Sequence, residues 1–132
     1  MNYTCVGNYE IIKAGHTEHY YIERYSFMDY RGKLRISPKS IWGYGNAVIT
    51  ATHDISGGEW TEPMVLCGVT VEDYAWITSM CVLYNCTIGH HAIVSVGSVV
   101  SQMVVEPYTV VSGNPARVVA RWDGERWKPT GG

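Results

Sequence analysis

Residues 65–100 read VLCGVTVEDYAWITSMCVLYNCTIGHHAIVSVGSVV, and the spacing of their aliphatic residues decides the fold. Val65, Val71, Ile77 and Leu83 stand six apart, and after one step of five Ile88, Val94 and Val100 resume the six. A weaker run at Ile36, Trp42 and Val48 precedes them. The stretch is rich in Val and Ile, is punctuated by Gly and small residues, and lacks an amphipathic helical period. A six-residue step with one large inward aliphatic describes short strands joined by tight corners, three steps making one triangular coil of a parallel β-helix. Coils stack at the strand spacing of about 4.8 Å. The expected coils are residues 36–53, 65–82 and 83–99, the last one residue short. A β-sandwich is the alternative, but the two-residue alternation it needs is poor here. The fold class expected is therefore all-β, a prism of about four coils.

Outward from that stretch, the register breaks between His53 and Val65 at DISGGEWTEPM, whose Gly57-Gly58 and Pro63 read as a loop thrown out from a coil corner and expected to meet substrate. Residues 1–33 show no repeat and carry Tyr20, Tyr21, Tyr25 and Tyr30. Such aromatic density suits a cap over the first coil's open β edge, or the lining of an acceptor pocket. After Val100 the repeat degrades, and the polar DGERWKPTGG is expected to leave the prism. This divides the chain into a cap segment at 1–33, the β-helix at 34–122 and a tail at 123–132.

At 132 residues the chain is the size of one domain. Its 46% hydrophobic and 17% charged content excludes a disordered chain. A net charge of −2 gives no footprint for nucleic acid or a membrane surface, so a small molecule or a second copy is the expected partner. No apolar run has the length of a membrane span, and the N-terminus lacks a signal-peptide pattern, so the expected location is cytoplasmic. Cys5, Cys67, Cys81 and Cys86 show no C-x-x-C spacing and read as small core-filling residues. All ten Lys and Arg residues lie in Lys13 to Lys39 and Arg117 to Lys128. An anionic ligand must therefore be gripped at the ends of the chain or by a neighbouring subunit.

SVGSVV at 95–100, YTVVSGNPARVV at 108–119 and DYAWI at 73–77 resemble the signature segments of bacterial hexapeptide-repeat acyltransferases, including xenobiotic, serine and sugar O- or N-acetyltransferases. TATHDI at 50–55 is similar to the place where that family carries its catalytic histidine, just before an extruded loop. The resemblance covers residues 34 to 122. It implies a left-handed parallel β-helix, a homotrimer, and acetyl-coenzyme A as cosubstrate in a groove between subunits, with no metal. The sequence departs from the family pattern in three ways. Thr78 and Tyr84 stand where corners are often small or Gly, one residue is missing between Leu83 and Ile88, and repeats upstream of Ile36 are absent.

Acyl transfer from a thioester needs a base that titrates near neutrality to take the acceptor's proton, and imidazole is suited to this. His53 is the histidine beside the extruded loop and the candidate catalytic residue, in keeping with its family position. Asp54 reads as a turn residue, since neighbours on a strand point to opposite faces. The carbonyl oxygen gaining charge needs donors, and corner N–H groups outside the ladder, at Thr78 and Ser79 after Trp76, are the candidates. Ser95, Gly97 and Ser98 would let a pantetheine arm approach the backbone, and Asn114 and Pro115, like Trp76, are further candidate contacts of the cosubstrate. Arg117 and Arg121 are candidate phosphate ligands for coenzyme A. His90 and His91, taken with His53, leave open a three-histidine zinc site, although no further histidine follows at the spacing of a coil.

Overall fold

The computed structural model describes residues 3–7, 26–58 and 64–130, the first of these as backbone strand alone. Tyr20, Tyr21 and Tyr25, the side chain of Cys5 and loop positions 59–63 lie outside the described residues. Three parallel sheets form the faces of a prism. Face 1 holds β1 (Tyr3–Gly7), β2 (Ser26–Tyr30), β5 (Ala47–Ile49), β10 (Val82–Tyr84) and β13 (Val99–Ser101). Face 2 holds β3 (Lys33–Ile36), β8 (Gly68–Val71), β11 (Cys86–Ile88) and β14 (Val104–Val105). Face 3 holds β4 (Ile41–Trp42), β9 (Trp76–Ile77), β12 (Ile93–Val94) and β15 (Thr109–Ser112), then β16 (Arg117–Trp122) and β17 (Trp127–Pro129) paired antiparallel. A separate antiparallel pair, β6 (Ala51–His53) and β7 (Met64–Leu66), forms an arm. The described residues contain no α-helix, and so none able to cross a membrane.

The strands are short because each contributes one or two inward residues before the chain must turn. Met28, Val48, Leu83 and Val100 stack inside face 1, Ile36, Val71, Ile88 and Val105 inside face 2, and Trp42, Ile77, Val94 and Val111 inside face 3. All twelve are buried, as the six-residue step requires of those it marks, with one exception to that step. Val65, expected inward, lies on the arm and is 42% exposed. The expected second coil therefore begins at Gly68 rather than at 65, because strand alternation on the arm mimics the coil step.

The step of five is not a defect in the third coil. It recurs from Val100 to Val105, so each coil takes 17 residues, as Ile77 on Val94 and Leu83 on Val100 show. The short corner joins face 1 to face 2, where Asn85 and Gln102 take left-handed φ of 45° and 54°. The left-handed corner residue between faces 3 and 1 is Met80, in a column with Gly45 and Gly97, and Thr78 and Tyr84 flank corners without occupying that conformation. The 18 residues 50–67 are inserted at the short corner in the preceding coil, since Tyr84 pairs with Ile49 while Cys86 pairs with Val69.

Two expected boundaries shift. Ser26–Tyr30 is a full rung of face 1, with Met28 and Tyr30 in the core, so the prism extends upstream of residue 34. Downstream, 123–130 does not leave the prism. Asp123 accepts hydrogen bonds from the backbone N–H groups of Glu125 and Arg126, and the turn returns Trp127–Pro129 alongside β16. Cys81 and Cys86 fill core positions, and burial pushes the Cys86 thiol up to about 12, against a weaker lowering by its hydrogen bond to the Tyr84 backbone.

Candidate functional site

The arm is fixed at its root by a buried carboxylate. Asp29 lies between Met28 and Tyr30 in β2's run of buried residues, and unpaired it would be costly there. It accepts from Arg31 Nε at 2.8 Å, Arg31 Nη2 at 3.0 Å, and the backbone N–H groups of Arg31 and Thr50, each at 3.0 Å. Burial works to raise its pKa, but the Arg31 side-chain bonds, the two N–H groups and the guanidinium charge outweigh it and hold the carboxyl at about 2. Thr50 Oγ1 donates to Asp29 O at 2.8 Å and accepts from Gly32 N at 2.9 Å. Cys67 N donates to Thr50 O at 2.8 Å, and Lys33 N donates to Cys67 O at 3.0 Å. Gly32 is required for closeness, because a Cβ there would lie 2.3 Å from Cys67 O and 2.4 Å from Thr50 O. Both strands of the arm thus leave the prism from fixed points.

Three residues beyond Thr50, His53 pairs with Met64 across the arm. Opposite residues of an antiparallel pair share a face, so His53, Met64, Ala51 and Leu66 lie on one side of the arm and Thr52 and Val65 on the other. His53 Nδ1 is buried, and no described residue gives it a hydrogen bond. Asp54 does not orient it. The Asp54 carboxylate accepts from Ser56 N at 2.9 Å, and that backbone bond lowers its pKa, the signature of a turn residue.

The other candidates gather at the edge between faces 3 and 1. Thr78 and Ser95 stack there one coil apart, with Ser79, Gly97 and Ser98 beside them and the cis Asn114-Pro115 bond below. The Thr78 N–H is not free for an oxyanion. It donates to Val94 O at 3.2 Å, and Thr78 Oγ1 donates to the same oxygen at 2.7 Å, because the corner completes the ladder. Ser79 Oγ accepts from Tyr44 N at 3.2 Å. Ser98 is buried, its hydroxyl donating to Ser95 O at 2.7 Å and accepting from Gly113 N at 3.1 Å, which fits it to corner packing. Gly97 has φ +73° with open space where a Cβ would stand. Trp76 projects outward from face 3, and Arg117 and Arg121 are exposed on β16.

This edge and the arm are different edges of the prism, since the arm leaves between faces 1 and 2. One chain does not bring His53 to the other candidates. The third edge holds His90 and His91, so the three histidines of a zinc site do not meet either, and among the described residues no three His, Cys, Asp or Glu side chains are placed to hold a metal.

That third edge carries a feature the sequence reading missed. Tyr74, His91 and Tyr108, each 17 residues from the next, occupy left-handed corners and stack: His91 lies 4.7 Å from Tyr108 at 7° and 5.1 Å from Tyr74. Lys39 caps the column 5.8 Å from the Tyr74 ring centre. Trp122 and Trp127 continue it at the C-terminal hairpin, 5.6 Å apart. With Ile41, Trp76 and Ile93 on face 3 these rings line an apolar groove of about 340 Å³. The legible signal was the 17-residue recurrence of rings.

No family model matches the chain, and no curated protein does. Solved structures do. A maltose O-acetyltransferase from Clostridium difficile 630 superposes with a TM-score of 0.67 at 23% identity over 93% of this chain and 65% of its own. An N-acyltransferase from Bacillus cereus, in complex with dTDP and 3-hydroxybutyryl-CoA, gives 0.60 at 19% identity over 73% of this chain and 59% of its own. A hexapeptide-repeat-containing acetyltransferase from Vibrio cholerae, complexed with acetyl-coenzyme A, gives 0.54 at 24% identity over 73% and 56%. The chain thus spans between 56% and 65% of the length of these three structures. At such identities the likeness is one of architecture: the chain has the left-handed parallel β-helix fold of its structural neighbours, hexapeptide-repeat acyltransferases like those its sequence resembles.

Proposed function

We propose that the protein transfers an acyl group, in the simplest case acetyl, from acyl-coenzyme A to a hydroxyl or amine of a small acceptor, with His53 as general base. The observation that carries this reading is His53 itself, a histidine with a buried, unsatisfied Nδ1 on an arm whose root is locked by Asp29, Thr50 and Gly32. A base must be held in place, and the bonds at the root of the arm do this for His53. Structural neighbours that are acyltransferases, two of them with acyl-coenzyme A bound, support the donor class.

In the proposed reaction the acceptor oxygen or nitrogen attacks the thioester carbonyl while His53 takes its proton. Collapse breaks the carbon–sulfur bond, and the imidazolium returns the proton to the departing thiolate. Since His53 and the Trp76, Ser79, Ser95 and Gly97 surface lie at different edges, the complete site requires two copies, in keeping with a homotrimer. Arg117 and Arg121 would meet the phosphates of coenzyme A.

His53→Ala should remain folded and assembled and should bind acetyl-coenzyme A as the wild type does, yet lose transfer by about a hundredfold or more. The assay follows thiol release across a panel of sugars, amino acids and amines. His90→Ala serves as the control that keeps transfer. Near-normal transfer by His53→Ala on any acceptor the wild type uses would overturn the assignment.

A further inference from the structure

Not every charged side chain on face 2 has a partner. Along β3 the alternation of the strand turns Leu34 and Ile36 into the core and leaves Lys33 and Arg35 exposed on the outside. Arg35 pairs in register with Thr70 of β8, and two residues beyond Thr70 the chain reaches Glu72 and Asp73, at the edge between faces 2 and 3. Arg35, Ser37, Thr70, Glu72 and Asp73 line one open cavity of about 740 Å³, within the size range of small-molecule sites. The two carboxylates are held by bonds between coils. Glu72 Oε1 accepts from His90 N at 3.1 Å in the coil after it. Asp73 Oδ1 accepts from Ser37 Oγ in the coil before it, and Ser37 Oγ in turn accepts from Lys39 N at 3.0 Å. Each carboxylate thus commits one oxygen to the fold and keeps the other without a partner among the described residues. Arg35 makes no hydrogen bond or ion pair with any described residue, although both acids share its cavity.

We propose that this cavity binds a free amino acid, whose carboxylate meets the Arg35 guanidinium and whose ammonium meets the open oxygens of Glu72 and Asp73. A guanidinium presents a planar fork matched to a carboxylate, and an ammonium is a compact donor suited to carboxylate oxygens. Charge decides among the ligand classes. A phosphate or sulfate would be drawn to Arg35 and repelled by two carboxylates, and a polyamine would be drawn to the carboxylates and repelled by Arg35. A neutral sugar would leave all three charges unanswered. A molecule with one charge of each sign answers both. Because bonds between coils already hold Glu72 and Asp73, those side chains have little freedom left to lose when a ligand arrives. Thr70, beside Arg35 in the ladder, adds a hydroxyl to the same wall. The cavity lies apart from the acyl-transfer residues, since the arm leaves between faces 1 and 2 and Thr78 and Ser95 stand between faces 3 and 1. The inference therefore goes beyond the acyltransferase reading and does not depend on it.

The test is isothermal titration calorimetry on the full chain, with glycine, L-alanine, L-serine, L-leucine and L-glutamine as probes. At least one should bind with a Kd below about 10 mM. For that probe, the N-acetyl derivative, which lacks the ammonium, and the amide, which lacks the carboxylate, should each bind at least about tenfold more weakly. Arg35→Gln, and Glu72→Gln combined with Asp73→Asn, should weaken binding of the intact probe by about tenfold or more. All three side chains are exposed, the amides keep the oxygens that accept from His90 N and Ser37 Oγ, and circular dichroism verifies that the variants fold. His53→Ala should bind the probe as the wild type does, because the arm lies at another edge. No binding by any probe at about 10 mM, equal binding by a single-charge derivative, or full affinity in either charge variant would overturn the site. Loss of binding in His53→Ala would put the amino acid at the acyl acceptor's place instead, overturning this site while leaving the acyltransferase reading standing.

Discussion

At the same corner of the prism, successive coils do opposite things. Between Tyr84 and Cys86 the chain turns through a single residue, Asn85, and continues. One coil earlier, between Ile49 and Gly68, the same turn is replaced by the arm of residues 50–67. The coil is held by what it buries, since Leu83 and Ile88 on either side of Asn85 are fully inaccessible. The arm buries little and is held by polar bonds at its root. A stacked scaffold thus fixes where the arm begins while leaving its surface free, which is the division a binding site needs.

That contrast can be broken from the coil side. Leu83→Ala removes a side chain packed between rungs and should destabilise the protein by about 2–5 kcal/mol in chemical denaturation. A loss below about 1 kcal/mol would show that the stack does not carry the fold. Breaking it from the root gives a smaller effect. The folded Asp29 carboxyl is held at about 2, below its ordinary value of 3.8, so its contribution is present above that ordinary value and lost as pH falls toward about 2. Asp29→Asn should cost roughly 2 kcal/mol at neutral pH, with the difference from wild type vanishing between pH of about 4 and about 2. A constant difference across that range would assign the effect to packing instead. At the turn of the arm, Gly57 meets nothing within 4 Å of a built Cβ. Gly57→Ala should leave stability within about 0.5 kcal/mol, and a larger loss would mean that the turn is packed in solution.

The scaffold was legible because burial repeats. Ile36, Trp42, Val48, Val71, Ile77, Leu83, Ile88, Val94 and Val100 were all assigned inward from spacing alone, and all are buried. Val65 failed because a strand on the arm and a rung of the coil present the same local alternation, and only the partner strand distinguishes them. The rung at Ser26–Tyr30 escaped notice because its neighbours carry no repeat and few small residues. The C-terminal strands were hidden by polar composition, which describes a hairpin whose Arg121 and Lys128 pair across the backbone as well as it describes a free tail. In the candidate site, His53 was readable from its place before a loop. The Asp29–Thr50 clamp was not, since it joins residues 21 apart, each side chain bonding the other's backbone, and a backbone partner leaves no pattern in side-chain identity.

The 17-residue coil makes the chain a ruler with fixed graduations. Duplicating or excising one such unit below the arm would move everything downstream by about 4.8 Å along the axis and leave each side chain on its own face. An indel of any other size within a rung would rotate the remainder, turning core positions toward water, unless a corner extrudes it as a loop, as happens with residues 50–67. Gene-level tinkering with this protein is therefore quantised: the distance between the arm and the C-terminal hairpin can change only in whole coils. A tandem copy of residues 78–94 is the smallest edit that tests how much spacing the two can tolerate.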